Sequence, residues 1–262
     1  MAPPKRKYPI RNFLLASLSP ADREELQPDL EQVNLPARFV LEEPDKPIKY
    51  AYFFDDGIAS VVGNGRNPKR RVEIGIIGRE GMSGLSLLTG DYRSPNRTYM
   101  QVAGTGQRVG AEKLRQAMRE RPSLQLALLR FLQAYVTQIA QTAISNGQDK
   151  IEQRLARWIL MSHDRIEGDA LTLTHEFLAI MLGVRRPGVT VGLKILEQQG
   201  LIELSRRQLR VVNRAGLKKA AAESYGVAES ELRRLLGKPL GKERAPPKPE
   251  AGDGPERDEE VE

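Results

Sequence analysis

The side chains best placed to do chemistry are cations gathered in one short stretch: Arg185, Arg186 and Lys194, interleaved with Pro187, Gly188, Thr190 and Val191. A guanidinium near the start of a helix can donate two parallel hydrogen bonds to the major-groove edge of guanine, whereas cations further along a helix meet phosphates. On that chemistry Arg186 is the expected base reader, with Arg185, Thr190 and Lys194 as phosphate clamps. Downstream, Ser205-Arg206-Arg207 sits between two apolar runs, Leu201–Leu204 and Gln208–Val212, so Arg206 and Arg207 form the basic tip of a short hairpin, able to touch flanking backbone.

Residue sets that enzymes need are missing from the pattern. There is no Cys, which excludes disulfides, iron–sulfur clusters, thiolate zinc sites and thiol nucleophiles. His163 and His175 stand alone and read as solvated or capping residues, and Gly63-Asn64-Gly65 is a turn signal and no phosphate loop. No catalytic residue, metal site or cofactor is expected.

The cations need a frame. Thr174 can cap a helix in which Leu178 and Leu182 face inward, Ala179 leaves room for a crossing helix, and Gly183 accepts turn dihedrals before Val184 plugs the corner. A second helix opening near Arg186 tolerates Pro187 in its first turn and buries Val189, Leu193 and Leu196. Its outer face is then Arg185, Arg186, Gly188, Thr190, Val191 and Lys194. Helix, turn, helix and hairpin make a winged helix-turn-helix, with Thr174 at its edge as a further DNA contact.

Upstream, a helix capped by Ser123 should run to about Ile144 with two apolar seams: Leu124, Leu128, Phe131, Tyr135, and Leu129, Leu132, Val136, Ile139, Ala143. One seam covers its own domain, and the second, at coiled-coil spacing, suits the same helix of another subunit. Ser145-Asn146-Gly147 reads as a hinge, followed by a helix with Ile151, Leu155, Trp158 and Ile159 on one face and Arg154 and Arg157 off it. From Val33 to about Val109 short β-rich runs broken by Gly, Asp and Pro argue an antiparallel sandwich or barrel. Ser19-Pro20 opens a helix before them.

The 262 residues suffice for two modest domains. Net charge is +7, yet Glu250–Glu262 holds seven carboxylates against Arg257, a net of −6, leaving +13 on the remainder. A body that basic attracts polyanions, duplex DNA first. No window approaches a membrane span and no leader pattern is visible, so the expected location is cytoplasmic.

With these residues in view, the chain resembles the CRP/FNR family of bacterial transcription regulators over roughly Asn12 to Asn213. The likeness is strongest from Thr174 to Ile202, through Gly183, Lys194, Leu196, Glu197 and Leu201-Ile202, and is also visible in Arg79-Glu80-Gly81-Met82-Ser83-Gly84-Leu85. It implies an α+β fold: an N-terminal antiparallel β-roll, a cyclic-nucleotide-binding-like jelly roll, then a long dimerisation helix and a C-terminal winged helix-turn-helix on a palindromic operator. The implied division is 12–115 for the roll, 116–147 for dimer helix and hinge, 148–220 for the DNA-binding domain, 221–240 for a helical extension and 241–262 for a disordered acidic tail. Implied partners are double-stranded DNA, a second copy, RNA polymerase and a small-molecule effector of unknown identity.

Departures matter. In the family's recognition helix the catabolite activator begins Arg, Glu, Thr; here stand Arg186, Pro187 and Gly188, with Val191 where a second Arg is found and Gly192 where a branched residue is usual. Near Ser83, Gly84 and Leu85 no Glu meets a ribose, and Arg97-Thr98 matches the phosphate end only loosely, so cyclic AMP binding is not expected. The alternative is a ligand sensor that signals to a protein partner without specific DNA binding.

Overall fold

The structure is a computed structural model and describes residues 10–64, 71–206 and 208–237. Two short helices open it, α1 (Phe13–Ser17) and α2 (Pro20–Leu26). Buried Asn12 caps α1 with its side-chain oxygen and donates from Nδ2 to the carbonyls of Phe54 and Gly81, each at 2.8 Å, so one amide pins the N-terminal segment to the sheet. Ser19 caps α2 by accepting from the Asp22 amide.

Seven strands follow: β1 (Glu31–Leu35), β2 (Val40–Glu42), β3 (Tyr50–Phe54), β4 (Ile58–Asn64), β5 (Arg71–Ile77), β6 (Arg97–Val102) and β7 (Gly104–Gly110). They pair antiparallel in two sheets, β1-β7-β3 and β2-β6-β4-β5, which is the expected β-roll. Phe53, Phe54, Ile77, Met82 and Met100 fill it, and Leu114 of α3 (Ala111–Glu120) closes it.

The long helix α4 (Pro122–Gln148) lies on the roll with Leu124, Leu128, Phe131 and Tyr135 buried. It comes so near that a Cβ on Gly81 would stand 1.9 Å from Phe131, so that turn admits only glycine. Its other seam is only partly covered: Leu129, Leu132 and Ile139 are half-buried at the edge of the roll's core, Ala143 is exposed, and Val136 is 49% exposed. Two expectations need correction here. Ser123 is not the cap, since the helix starts at Pro122 and the Ser123 hydroxyl donates instead to Asp22 at 2.7 Å. Ser145-Asn146-Gly147 is no hinge either, because Ser145 is buried and its carbonyl accepts the Asp149 amide; one glycine, costing about 1 kcal/mol, does not break a turn so held. The chain turns at Asp149 and Lys150 instead.

Beyond that joint stand α5 (Ile151–His163), β8 (Ala170–Thr172), α6 (His175–Leu182), α7 (Arg186–Gln198), the hairpin β9 (Ile202–Ser205) and β10 (Gln208–Val211), and α8 (Arg214–Ala221). The three strands pair in the order β8-β10-β9. A second core forms from Leu155, Trp158, Leu178, Val189, Leu193, Leu196, Leu209 and Leu217, and Ile58 and Ile76 of the roll join it. A last helix, α9 (Val227–Leu236), returns to α4. The expected acidic tail lies outside the described residues.

Candidate nucleic-acid interface

Local chemistry builds the helix pair as the sequence requires. Thr174 caps α6, its hydroxyl accepting from the Phe177 amide, and Gly183 ends that helix in the left-handed region at φ 61°. Val189, Leu193 and Leu196 are fully buried, which fixes the rotation of α7. Arg185, Arg186, Pro187, Val191 and Lys194 are therefore exposed, and among the described residues the three cations' side chains meet no ion-pair or hydrogen-bond partner. Open guanidinium and ammonium groups on a helix held by its apolar side are what a duplex groove can engage.

Gly188 is not on the outer face. A Cβ there would lie 2.9 Å from Ile151, and one on Gly192 would lie 2.7 Å from Leu155, so both glycines let α7 sit directly on α5. Thr190 is half-buried, and its hydroxyl bonds the Arg186 carbonyl at 3.2 Å and His175 Nδ1 at 2.9 Å. His175 is thus a link between α6 and α7 rather than a solvated ring. At the hairpin tip Arg206 is exposed, while Arg207 lies outside the described residues.

His163 and Arg157 also depart from expectation, being 3% and 6% exposed. Arg214 donates to His163 Nδ1 at 2.9 Å, which places the ring proton on Nε2 facing Asp169 at 2.8 Å. Arg157 donates to the carbonyls of Ser224 at 2.8 Å and Gln138 at 3.4 Å, bridging the C-terminal segment to α4.

The roll and the DNA-binding unit meet through buried polar groups. Glu80 and Arg165 form an ion pair at 2.7 Å with both side chains almost wholly excluded from solvent. Glu73 on β5 accepts from Trp158 Nε1 at 2.7 Å and from the Ser60 hydroxyl. Burial pushes the Glu73 carboxyl up to about 7, against the lowering effect of those two donors and of the charges on Arg157 and Arg165. The Glu80–Arg165 and Glu73–Trp158 contacts each span 85 residues of chain and carry no local signature.

The cassette segment is just as inward-looking. Ser83 is fully buried and accepts from the Tyr52 amide, and Thr98 is buried too, while Arg97 is half-exposed. Leu85 begins a 3₁₀ turn, Leu85–Thr89, after Gly84 at φ 80°. The Gly84 amide donates at 2.9 Å to Glu42, whose carboxylate is also reached by Ser94 and Thr98 hydroxyls. Burial raises the Glu42 carboxyl above its ordinary range in spite of those donors. Sequence reasoning missed Glu42, which approaches from a strand over forty residues away.

The roll and the long helix thus carry a helix-turn-helix and hairpin whose cations face solvent. Residues 153–220 match the family described as the Crp-like helix-turn-helix domain. Among solved structures, the chain is similar to a CRP/FNR-family transcriptional regulator from Eubacterium rectale, at 15% identity and TM-score 0.63 over 79% of this chain and 97% of that one. It is similar also to FixK2 from Bradyrhizobium japonicum, at 17% identity and TM-score 0.63 over 74% of this chain and 98% of that one. A third is a CRP-family transcriptional regulator from Thermus thermophilus, at 18% identity and TM-score 0.60 over 74% of this chain and 99% of that one. No curated protein matches the chain. The structural likenesses give the fold, and the domain match gives residues 153–220 as a Crp-like helix-turn-helix domain.

Proposed function

We propose that the protein is a homodimeric, sequence-specific regulator that reads palindromic promoter sites with α7 and does so without cyclic AMP. The observation that carries the reading is the pair of opposed faces on α7, with Val189, Leu193 and Leu196 buried and Arg185, Arg186 and Lys194 open. Arg186 reads a base, and Arg185, Lys194, Arg206 and Arg207 hold phosphates. Thr174, Pro187, Thr190 and Val191 line the contact, and Gly188 contributes closeness to α5 rather than a donor.

Dimerisation rests on the partly covered seam Leu129, Leu132, Val136, Ile139 and Ala143, since paired reading heads meet half-sites about one helical turn apart. The division of labour follows: 12–115 as roll, 116–147 as dimer helix, 148–220 as reading head. Glu42 supports the reading without cyclic AMP: it takes the donors at Gly84, Ser94 and Thr98, and a phosphate there would face a buried carboxyl group. No helix among the described residues is long and apolar enough to cross a membrane, and a DNA target puts the protein's work in the cytoplasm. Contact with RNA polymerase follows if bound protein activates transcription.

The test is genome-wide mapping of bound sites followed by binding to the derived consensus. Arg186→Ala should cost about 1–3 kcal/mol on that consensus and relax one base position. Uniform loss on every sequence would reduce Arg186 to a phosphate contact. Affinity flat with rising salt would favour the protein-partner alternative, because phosphate neutralisation makes a steep slope.

A further inference from the structure

The head's own fold ends with α8 packed on α5, yet the described chain continues. At Gly226, φ 121°, it reverses, and α9 lies along α4, on the other side of the joint. Leu232 there is counted among the buried residues of the roll's core, with Leu235 and Leu236 packed at its edge. Ala228, Glu229 and Leu232 of α9 close over Phe131, Tyr135 and Gln138 of α4, together with the Glu80–Arg165 pair, leaving a cavity of about 10 Å³.

The approach to α9 is fastened as well. Arg157 donates to the Ser224 carbonyl at 2.8 Å, and the Tyr225 hydroxyl donates to Asp164 at 2.6 Å. Glu229 accepts the Gly226 amide at 2.9 Å and faces the charges of Arg157 and Arg165. The head is thus tethered to α4 twice: covalently at Asp149–Lys150, and again through α9. Its inner side also meets the roll through Glu80–Arg165 and Glu73–Trp158. The second tether on α4 lies at a separate point from both, and so removes swivelling about the joint that those contacts alone would have to resist.

We infer that α9 is a strap that holds the reading head in a single pose on α4, with Leu232 as a positioning residue for DNA reading. The inference rests on the reading that α7 binds duplex. Leu232 touches no base; it acts by keeping the competent pose populated, and apparent affinity falls in proportion to that population.

The test uses the full chain, its Leu232→Asp and Leu232→Met variants, and the operator selected by the wild type. Hydrogen exchange reports whether the amides of 227–236 stay protected, and fluorescence anisotropy measures affinity for operator and for random duplex. Leu232→Asp should deprotect α9 and lower operator affinity about tenfold as the competent pose drops to about a tenth of the population, while random duplex, held by phosphate contacts that need no fixed pose, keeps its affinity, so the operator-over-random ratio falls about tenfold. Leu232→Met should restore both. A chain ending at Tyr225 should reproduce the loss, and one ending at Gly237 should not, so the truncations decide the matter even if the aspartate leaves α9 in place. A deprotected or deleted α9 with an unchanged ratio overturns the strap. A wild type that cannot tell operator from random duplex sinks the DNA reading itself, and the strap's role with it.

Discussion

The outer face of the helix pair and the turn segment of the roll handle their polar groups in opposite ways. The reading head leaves Arg185, Arg186, Lys194 and Arg206 in solvent, whereas the roll turns Glu42, Ser83, Ser94 and Thr98 inward and satisfies Glu42 from its own chain. Open cations on a fixed apolar base make a surface for a partner. An internally satisfied carboxyl makes structure. On the proposed function, that contrast puts recognition on the head and leaves the roll a structural part.

The buried link between the halves gives the largest effect that would break this comparison. Arg165→Met leaves Glu80 buried without its partner and should cost about 3–5 kcal/mol in chemical unfolding, much of it regained in the Glu80→Met, Arg165→Met double variant. A loss well under 1 kcal/mol would mean that water reaches the joint.

Next in size is a pH effect at the same boundary. Glu73 holds its proton to about 7 in the folded protein, against 4.5 ordinarily, so between those values the native state binds more protons than the unfolded one. Stability must then fall as pH rises through that window, by about 3 kcal/mol in all, and Glu73→Gln should flatten that part of the profile in thermal unfolding.

Within the roll, Glu42→Ala strands the Gly84 amide and two hydroxyls and should cost about 1–3 kcal/mol by urea titration. Operator affinity should stay unchanged, since no part of the head contacts Glu42 directly. The smallest effect belongs to the head. Lys194→Ala should lower the slope of log affinity against log salt by about one and leave the consensus unaltered. A changed consensus would make Lys194 a base reader and blur the distinction drawn between it and Arg186.

The same contrast explains what the sequence could disclose. Cap, turn and inner face of the helix pair fall within Thr174 to Leu196, where periods of three and four residues are visible, so the head is legible. The two seams of α4 are legible for the same reason, and the roll from short β-rich runs broken by turn residues. Glu42 reaches Gly84, and Glu80 reaches Arg165, only through tertiary approach, and no local period encodes such a meeting. Gly188 misled because a helical wheel places residues by angle alone. Its true surroundings depend on how closely α5 crosses, which Ile151 and Leu155 decide.

That crossing also limits how much text the head can read. Pro187 and Gly188 offer no side-chain donor in the first turn of α7, so on the proposed function one guanidinium would carry most of the spelling there. A reader with so small a vocabulary discriminates weakly among near-matches, and a genome supplies very many of those. Promoter occupancy would then track how many copies of the protein a cell makes, with scarce stocks confined to the best-spelled addresses and larger ones spilling onto the rest.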